Sequence, residues 1–328
     1  MVPTILLVVA DRENRKDWQK LLGEQGYRIV GIGNGQRVLD LCLHLQPDLV
    51  LIDAALTGLS GFEVCRRLKE DPRTRVTPVV LITTLSDDVN LAQARDAGAN
   101  DFWGPRPSRW EAITRVQSLI QMKSYIDDQS EAVVISLARS IEARDPYTQG
   151  HCERISLLAV KLGEKIGLRE DQCEALRVAG MVHDIGKVVV PDSILMKPGH
   201  LNFEEMKVIK QHPIEGERIC SPLKSLRRVL PIIRHHHERM DGSGYPDGLR
   251  ASKIPLTARI LQVVDIYDAL TTDRPYREGV SVQSALETMC EEADRGWLDM
   301  DLIKIFATFA VAPIAVDTSE AHRQFGKS

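Results

Sequence analysis

The sequence contains histidines and aspartates at spacings that suit a buried metal site. His183 and Asp184 are adjacent, and Leu176 and Ala179 precede them at helical intervals, so His183 is predicted to face the core. An aspartate on such a face needs a partner such as a metal ion, because burying an unpaired carboxylate is costly. The candidate ligands on predicted inner helix faces are His151, His183, Asp184, His212, His236, His237 and Asp265. Imidazoles with carboxylates suit iron, manganese, nickel or zinc, and the lack of cysteine ligands disfavours a structural zinc site.

A ligand set of this kind suits phosphoryl chemistry. Two metal ions that share a carboxylate can bind a water molecule, lower its pKa and neutralise charge on a phosphoryl group. Lys187 follows His183 by about one helical turn, so its ammonium can meet a phosphate oxygen. Plainer interpretations stay open at this point. A single buried histidine is usually a hydrogen-bonded core residue, and Lys187 fits an ordinary lysine near a helix C-terminus.

The elements that carry these residues are predicted to be helices. No convincing strand follows residue 109, and turn clusters such as 145–146, 197–199 and 241–244 divide the second part of the chain. A helical run over 109–138 precedes helices predicted at 129–143, 151–166, 171–187, 203–219, 226–237, 257–271 and 282–309. The second part is therefore predicted to be all-α.

The first part of the chain alternates apolar β runs with amphipathic stretches. Strands are predicted at 5–9, 27–30, 49–52, 79–82 and 101–103, and helices at 14–24, 36–45, 61–70 and 90–97. Continuous apolar strands that alternate with helices favour a parallel sheet covered on both faces. We predict a doubly wound, five-stranded parallel α/β sheet followed by the all-α part.

Composition excludes several other classes. The net charge of −4 gives no basic excess, so DNA binding is not expected. No apolar run approaches the roughly 20 residues that span a bilayer, so no membrane partner is expected. Residues 1–9 read as a strand rather than a signal peptide, and six scattered cysteines without a CxxC pair favour a reduced, cytoplasmic protein.

Two motifs in the second part resemble the HD-GYP family of phosphohydrolases. His183-Asp184 with Lys187 resembles the HD signature, and residues 236–246 resemble the complete HHExxDGxGYP signature. The resemblance covers about residues 130–309 and implies hydrolysis of cyclic di-GMP to linear pGpG, with GMP as a further product. It implies two divalent transition metals, iron or manganese first and nickel or zinc as alternatives. One would be held by His151, His183, Asp184 and Asp265, and the other by Asp184, His212, His236 and His237.

The same resemblance implies the contacts to the substrate. Asp184 and Lys187 would be catalytic, and Lys187 would also touch phosphate. Tyr245, Arg274 and Arg277 would contact the dinucleotide, since an anionic diester needs cationic partners and guanidinium groups bind phosphate or guanine bidentately. The usual third-metal position, four residues before His151, is Tyr147, a poor ligand, and Pro146 separates Glu142 and Asp145 from the His151 face. We therefore expect two metals rather than three.

The first part resembles response-regulator receiver domains. Asp53 matches the phosphoacceptor, Asp11 and Asp53 match Mg²⁺ ligands, and Thr83 matches the switch hydroxyl. The chain departs from the pattern at Ala10, where an acidic residue is usual, and at Arg106, where a lysine is usual. Losing an acid weakens Mg²⁺ binding, so phosphorylation by a sensor histidine kinase is an open question.

These interpretations divide the chain into four parts and leave alternatives. The parts are a partly degenerate receiver over 1–122, a connecting helix over 123–138, the HD-GYP domain over 139–310 and a tail over 311–328. One alternative is a phosphohydrolase for another nucleotide. The other is a catalytically weak module that binds cyclic di-GMP and acts through protein contacts. A homodimer through the connecting helix and signalling partners at the GYP region are further expectations.

Overall fold

The computed structural model describes residues 2–83, 88–104, 107–144, 150–273 and 278–310. The chain forms two compact units, Met1–Ser130 and Glu131–Ser328. Among the described helices, none combines the length and apolar character needed to cross a bilayer.

The first unit is a five-stranded parallel sheet in the order β2-β1-β3-β4-β5, which confirms the predicted α/β class. The strands are β1 Thr4–Val8, β2 Arg28–Ile32, β3 Leu49–Asp53, β4 Val79–Ile82 and β5 Asp101–Trp103. The helices are α1 Arg12–Gly23, α2 Val38–Leu45, α3 Gly61–Glu70 and α4 Asp88–Asp96, and α5 Arg109–Glu142 begins in this unit and continues into the second. Alternate residues of a strand enter different cores: Leu6 packs in one hydrophobic cluster, and Ile5 and Leu7 pack in the other.

The second unit is helical, as predicted. Its helices are α6 His151–Lys165, α7 Glu170–Val182, α8 Asp192–Leu195, α9 Phe203–Ile209, α10 His212–Cys220, α11 Leu230–His235, α12 Leu256–Thr271, α13 Val282–Asp294 and α14 Met300–Ala310. Short 3-10 turns lie at Ile185–Val189, Ser225–Arg228 and Ala251–Lys253. One continuous apolar core, which includes Ile155, Leu176, Ile233, Leu261 and Phe306, lies between these helices.

Four helices predicted from the sequence are shorter than expected. The helix predicted at 171–187 ends at Val182, and the one predicted at 203–219 is interrupted by Lys210 and Gln211. Pro213 explains that break. In a continuous helix its ring would clash with the carbonyl group four residues earlier, and it has no N–H to donate to that carbonyl. The helix predicted at 226–237 is divided in the same way before Pro231, and it ends at His235.

The helix predicted at 282–309 is two helices. Asp299 begins the second one, since its Oδ1 accepts hydrogen bonds from the backbone N–H groups of Asp301 and Leu302. Asp299 also pairs with Arg259 of α12 at 2.5 Å. The side chain that starts α14 therefore ties it to the central helix of the unit.

These interruptions determine where the candidate ligands lie. His151 and His212 are the first residues of α6 and α10, and His183 and His236 directly follow α7 and α11. Only Asp265 of the candidate set lies well inside a helix. The sequence interpretation holds for His151, which shares a buried face of α6 with Ile155 and Leu158. It was wrong to place His183 and His212 inside longer helices, because α7 ends at Val182 and a new helix begins at His212.

Candidate metal centre

The structure brings all seven candidate ligands together in two groups. One group is Asp184, His212, His236 and His237, and the other is His151, His183 and Asp265. Within each group the ligand atoms lie within 4.8 Å of one another. Five separate helices or helix ends contribute, so the centre depends on the packing of the whole unit.

Asp184 faces both groups. Its Oδ2 lies 3.3 Å from Nε2 of His183, and its Oδ1 lies 3.2 Å from Nε2 of His212. Gly186 makes this approach possible, because a Cβ there would lie 1.9 Å from the carbonyl oxygen of His212. The turn that carries Asp184 is therefore pressed directly against the start of α10. One carboxylate can thus serve two cations.

Three of the histidines are oriented by backbone carbonyls at helix ends. The Nδ1 atoms of His183, His212 and His236 lie 3.0, 2.8 and 2.7 Å from the carbonyl oxygens three residues earlier. Because the last carbonyls of a helix have no partner within it, they can accept these bonds. An imidazole that donates from Nδ1 has Nε2 free as a ligand, which is the usual arrangement around a bound metal.

The charges of the centre fit divalent cations. Nε2 of His183 and Oδ1 of Asp184 are buried and have no hydrogen-bond partner among the described residues. Burial lowers the pKa of His237 to about 3 and the pKa of His236 well below its usual value, so both rings are neutral near pH 7. Burial opposes ionisation of Asp184, but Lys187, His183 and His212 hold its pKa well below the usual value. Neutral imidazoles around ionised carboxylates form a cation site.

His183 differs from its neighbours. Burial lowers the pKa of its ring, but Asp184 and Asp265 outweigh that effect and raise the pKa to about 9. The carboxylates that would stabilise a proton on His183 are the same ones that would stabilise a bound cation. Since a ligand nitrogen must be deprotonated, metal binding would release this proton.

Two predicted substrate contacts border the centre. Nζ of Lys187 lies 2.5 Å from Oδ2 of Asp184. The Tyr245 ring stacks on His237 with centroids 4.9 Å apart, and Nζ of Lys210 lies 5.2 Å from the Tyr245 centroid. Arg274 and Arg277 lie outside the described residues.

The GYP loop is held by a buried carboxylate that sequence reasoning missed. Glu238 is fully buried, and its two oxygens accept the backbone N–H groups of Asp247 and Leu249 at 2.7 and 3.0 Å. A Cβ on Gly244 would lie 2.5 Å from Cα of Glu238, so the loop passes directly over it. The one indication of this role in the sequence is that Glu238 is the glutamate of the HHExxDGxGYP signature.

Glu142 also lies closer to the centre than the sequence indicated. It lines a small cavity with His151, Asp184 and Lys187, and its Oε1 accepts the backbone N–H of Cys152 at 3.1 Å. The expectation that Glu142 stays away from this face was wrong, because Glu142, at the end of α5, contacts the first turn of α6. Asp145, Pro146 and Tyr147 lie outside the described residues.

The receiver-like unit has a separate acidic cleft. Asp11, Asp53 and Thr83 line a cleft of about 690 Å³ at the carboxyl ends of the strands, together with Glu13 and Asp17, which sequence reasoning missed. Oδ1 of Asp11 accepts the N–H of Asn14, and Oδ1 of Asp53 accepts the N–H of Ala55. Arg106 lies outside the described residues.

Comparison with known proteins agrees with this division. Residues 136–302 match the HD domain family, and residues 5–103 match the response regulator receiver domain family. The cyclic di-GMP phosphodiesterase response regulator RpfG of Xanthomonas campestris is 34% identical over 291 residues, 82% of this chain and 77% of RpfG. This chain belongs to the family of response regulators that carry an HD domain.

Two further relatives are also named phosphodiesterases of cyclic dinucleotides. A cyclic di-GMP phosphodiesterase of Thermotoga maritima is 31% identical over 315 residues, 86% of this chain and 84% of the relative. The 3′3′-cGAMP-specific phosphodiesterase 1 of Vibrio cholerae is 34% identical over 174 residues, 53% of this chain and 40% of the relative. The HD family fits the ligand set, which supports divalent metal binding at this centre.

Proposed function

We propose that this chain is a metal-dependent phosphodiesterase that hydrolyses cyclic di-GMP to linear pGpG and then GMP. The proposal depends chiefly on one observation: seven ligand side chains meet in two adjacent groups, with Asp184 facing both. Relatives that share both domains with this chain are named cyclic di-GMP phosphodiesterases. An enzyme, rather than a binding module, is the better interpretation, because every expected metal ligand is present.

The proposed mechanism assigns each side chain a separate task. His151, His183 and Asp265 would hold one divalent ion, His212, His236 and His237 the other, and Asp184 would serve both. Such ions, when bound, activate water as a nucleophile and neutralise charge on the phosphoryl group. Iron or manganese is proposed first, with nickel or zinc as alternatives.

The chain's own cations and aromatic groups would place the diester. Lys187, beside Asp184, would bind a phosphate oxygen, and Tyr245, a partly buried ring that stacks on His237, would contact the dinucleotide. Arg274 and Arg277 follow α12 in the sequence, and their guanidinium groups suit a phosphate or a guanine edge. Holding both phosphates of a cyclic substrate favours the first cleavage, since the linear product loses one constraint.

The receiver-like unit is proposed to regulate this activity. Phosphorylation of Asp53 by a sensor histidine kinase, with Mg²⁺ at Asp11 and Asp53, would be the input. A homodimer and signalling proteins that bind at the GYP loop are further proposed partners. The alternative is a module that binds cyclic di-GMP without efficient turnover.

Purified protein loaded anaerobically with Fe²⁺ or Mn²⁺ tests the proposal. With cyclic di-GMP, we expect pGpG to accumulate first and GMP to follow. A parallel reaction with 3′3′-cGAMP tests the substrate class of the Vibrio cholerae relatives. Tight binding of cyclic di-GMP without hydrolysis under either metal would favour the binding module, and faster hydrolysis of 3′3′-cGAMP would change the assigned substrate.

A further inference from the structure

One histidine of the metal centre is oriented by a side chain rather than by the backbone. Nδ1 of His151 lies 2.7 Å from Oδ2 of Asp268, whereas His183, His212 and His236 contact backbone carbonyls through Nδ1. Nε2 of His151 lies on the other side of the ring, 3.6 Å from Oδ1 of Asp265. Asp268 therefore lies behind His151, on the side away from the proposed metal.

The contacts of Asp268 form a closed network. Only 4% of Asp268 is exposed. Its Oδ1 accepts a hydrogen bond from Nε of Arg154 at 2.6 Å, and its Oδ2 accepts one from Nη2 of Arg154 at 2.9 Å. Arg154 also donates to Oγ1 of Thr272 at 3.2 Å. A buried carboxylate is stable only when its charge is matched, and a bidentate guanidinium matches it well.

The network repeats one spacing on two helices. His151 and Arg154 are three residues apart on α6, and Asp265 and Asp268 are three residues apart on α12. Residues at this spacing lie on the same face of a helix. His151 and Asp265 belong to the metal group. Arg154 and Asp268 pair with each other one helical turn further along, and Asp268 contacts His151.

We propose that Asp268 is a positioning residue that fixes His151 with its proton on Nδ1, so that Nε2 faces the metal. Arg154 neutralises Asp268, so that this carboxylate supports the ring instead of competing for the cation. The inference rests on the proposed metal centre and adds an asymmetry to it. His151 depends on a side-chain network, whereas His183 of the same group and His212 and His236 of the other group depend on backbone carbonyls.

Metal-free protein provides a test that does not need activity. With histidine rings labelled by ¹⁵N, we expect the His151 signals to show the Nδ1–H form in the wild type. In Asp268→Ala they should shift to a mixture of both tautomers, while signals of His183, His212 and His236 stay unchanged. A His151 spectrum identical in the variant and the wild type would overturn the proposal.

Metal binding gives the second measurement. Anaerobic titration with Mn²⁺ should show that Asp268→Ala weakens one of two sites by about 10–100-fold, the usual cost of losing a partner behind a ligand. Asp268→Asn, which keeps an oxygen acceptor without the charge, should weaken the same site less. If either variant folds and binds both Mn²⁺ ions with wild-type affinity, the proposal is wrong.

A matched control separates positioning from general stability. Asp299→Ala breaks the pair between Asp299 and Arg259 of α12, neither of which belongs to a ligand group, and should leave both Mn²⁺ affinities unchanged. An equal loss of Mn²⁺ in both variants would mean that Asp268 acts only through stability, which overturns the proposal. Wild-type protein that binds two Mn²⁺ ions without hydrolysing cyclic di-GMP would contradict the proposed function alone.

Discussion

The two acidic sites of this chain differ in how their side chains are prepared. In the metal centre the ligands are mostly buried, and imidazole Nδ1 atoms are held at helix ends so that Nε2 is free. In the receiver cleft the carboxylates of Asp11 and Asp53 bond to nearby backbone N–H groups at an open surface. The buried charges of the metal centre are costly unless a cation compensates them. The exposed carboxylates of the receiver cleft do not have this cost.

The two sites should respond differently to the loss of a side chain. Water compensates poorly for a ligand lost from a largely buried centre, so one substitution should remove both metal and activity. The receiver cleft lacks an acid at position 10 but is open to water, so it should bind Mg²⁺ weakly rather than not at all. Substitutions in the metal centre should therefore have much larger effects on metal binding and activity than substitutions in the receiver cleft.

Asp184→Ala is expected to have the largest effect, because this carboxylate faces both metal groups. Metal content should fall from two ions per chain, and kcat/KM for cyclic di-GMP should fall by more than about 100-fold, the upper cost of losing an outer partner. Elemental analysis and a pGpG assay measure these changes. The control is Asp301→Ala, a carboxylate 91% exposed, which should change neither value. Wild-type protein purified anaerobically without bound metal would contradict this prediction.

Arg274→Ala is expected to have an intermediate effect. Loss of a charge-assisted contact should weaken cyclic di-GMP binding by about 1–3 kcal/mol, while the two metals remain bound. Calorimetry on the metal-loaded protein measures the affinity for cyclic di-GMP, and elemental analysis measures the metal content. Arg295→Ala, which removes an exposed arginine of the same unit, is the control. Unchanged affinity in Arg274→Ala would remove this residue from the proposed substrate site.

The fold of both units could be predicted from the sequence, because each depends on local patterns. Buried parallel strands read as continuous apolar runs, as in β1, and the helices carry clear apolar periods. The set of metal ligands could also be named, since the HD and HHExxDGxGYP motifs fix residue types and spacing. Their local geometry could not, because Pro213 and Pro231 were read as parts of longer helices.

Residues that support the site were harder to predict than residues that form it. Asp268 and Arg154 act through contacts between elements that are distant in sequence, at separations of 117 residues for His151–Asp268 and 114 for Arg154–Asp268. Glu142 was placed wrongly for the same reason, since helical spacing says nothing about how a chain returns after a break. Such contacts depend on tertiary packing that one sequence does not display.

The comparison predicts that the receiver cleft can be improved by one residue. Ala10→Asp should tighten Mg²⁺ binding by about tenfold or less and speed phosphorylation of Asp53 by acetyl phosphate, since Mg²⁺ stabilises the transferring phosphoryl group. Trp18 lines the cleft, 5.7 Å from Trp103 between ring centroids, so tryptophan fluorescence can follow Mg²⁺. Ala10→Asn is the neutral control. Rapid, Mg²⁺-dependent phosphorylation of the wild type, absent in Asp53→Asn, would show that the cleft is already competent.

The smallest expected effects concern one surface carboxylate in each unit. Arg234 hydrogen bonds lower the pKa of Asp247 to about 2, and an Arg73 hydrogen bond lowers the pKa of Asp71 to about 2. Because each folded pKa lies below the ordinary value of 3.8, the stabilisation is complete above that value and is lost as the pH falls towards 2. Asp247→Asn and Asp71→Asn should each lower the urea midpoint of metal-free protein slightly at pH 6, and less at pH 3. Only Asp247→Asn should also raise KM for cyclic di-GMP, because the Asp247 carboxylate pairs with Arg234 and His235 and lies two residues after Tyr245 in the GYP loop. An equal change of KM in both variants would mean that the loop is not set by this carboxylate, and that the two units do not differ in the way their surface pairs affect function.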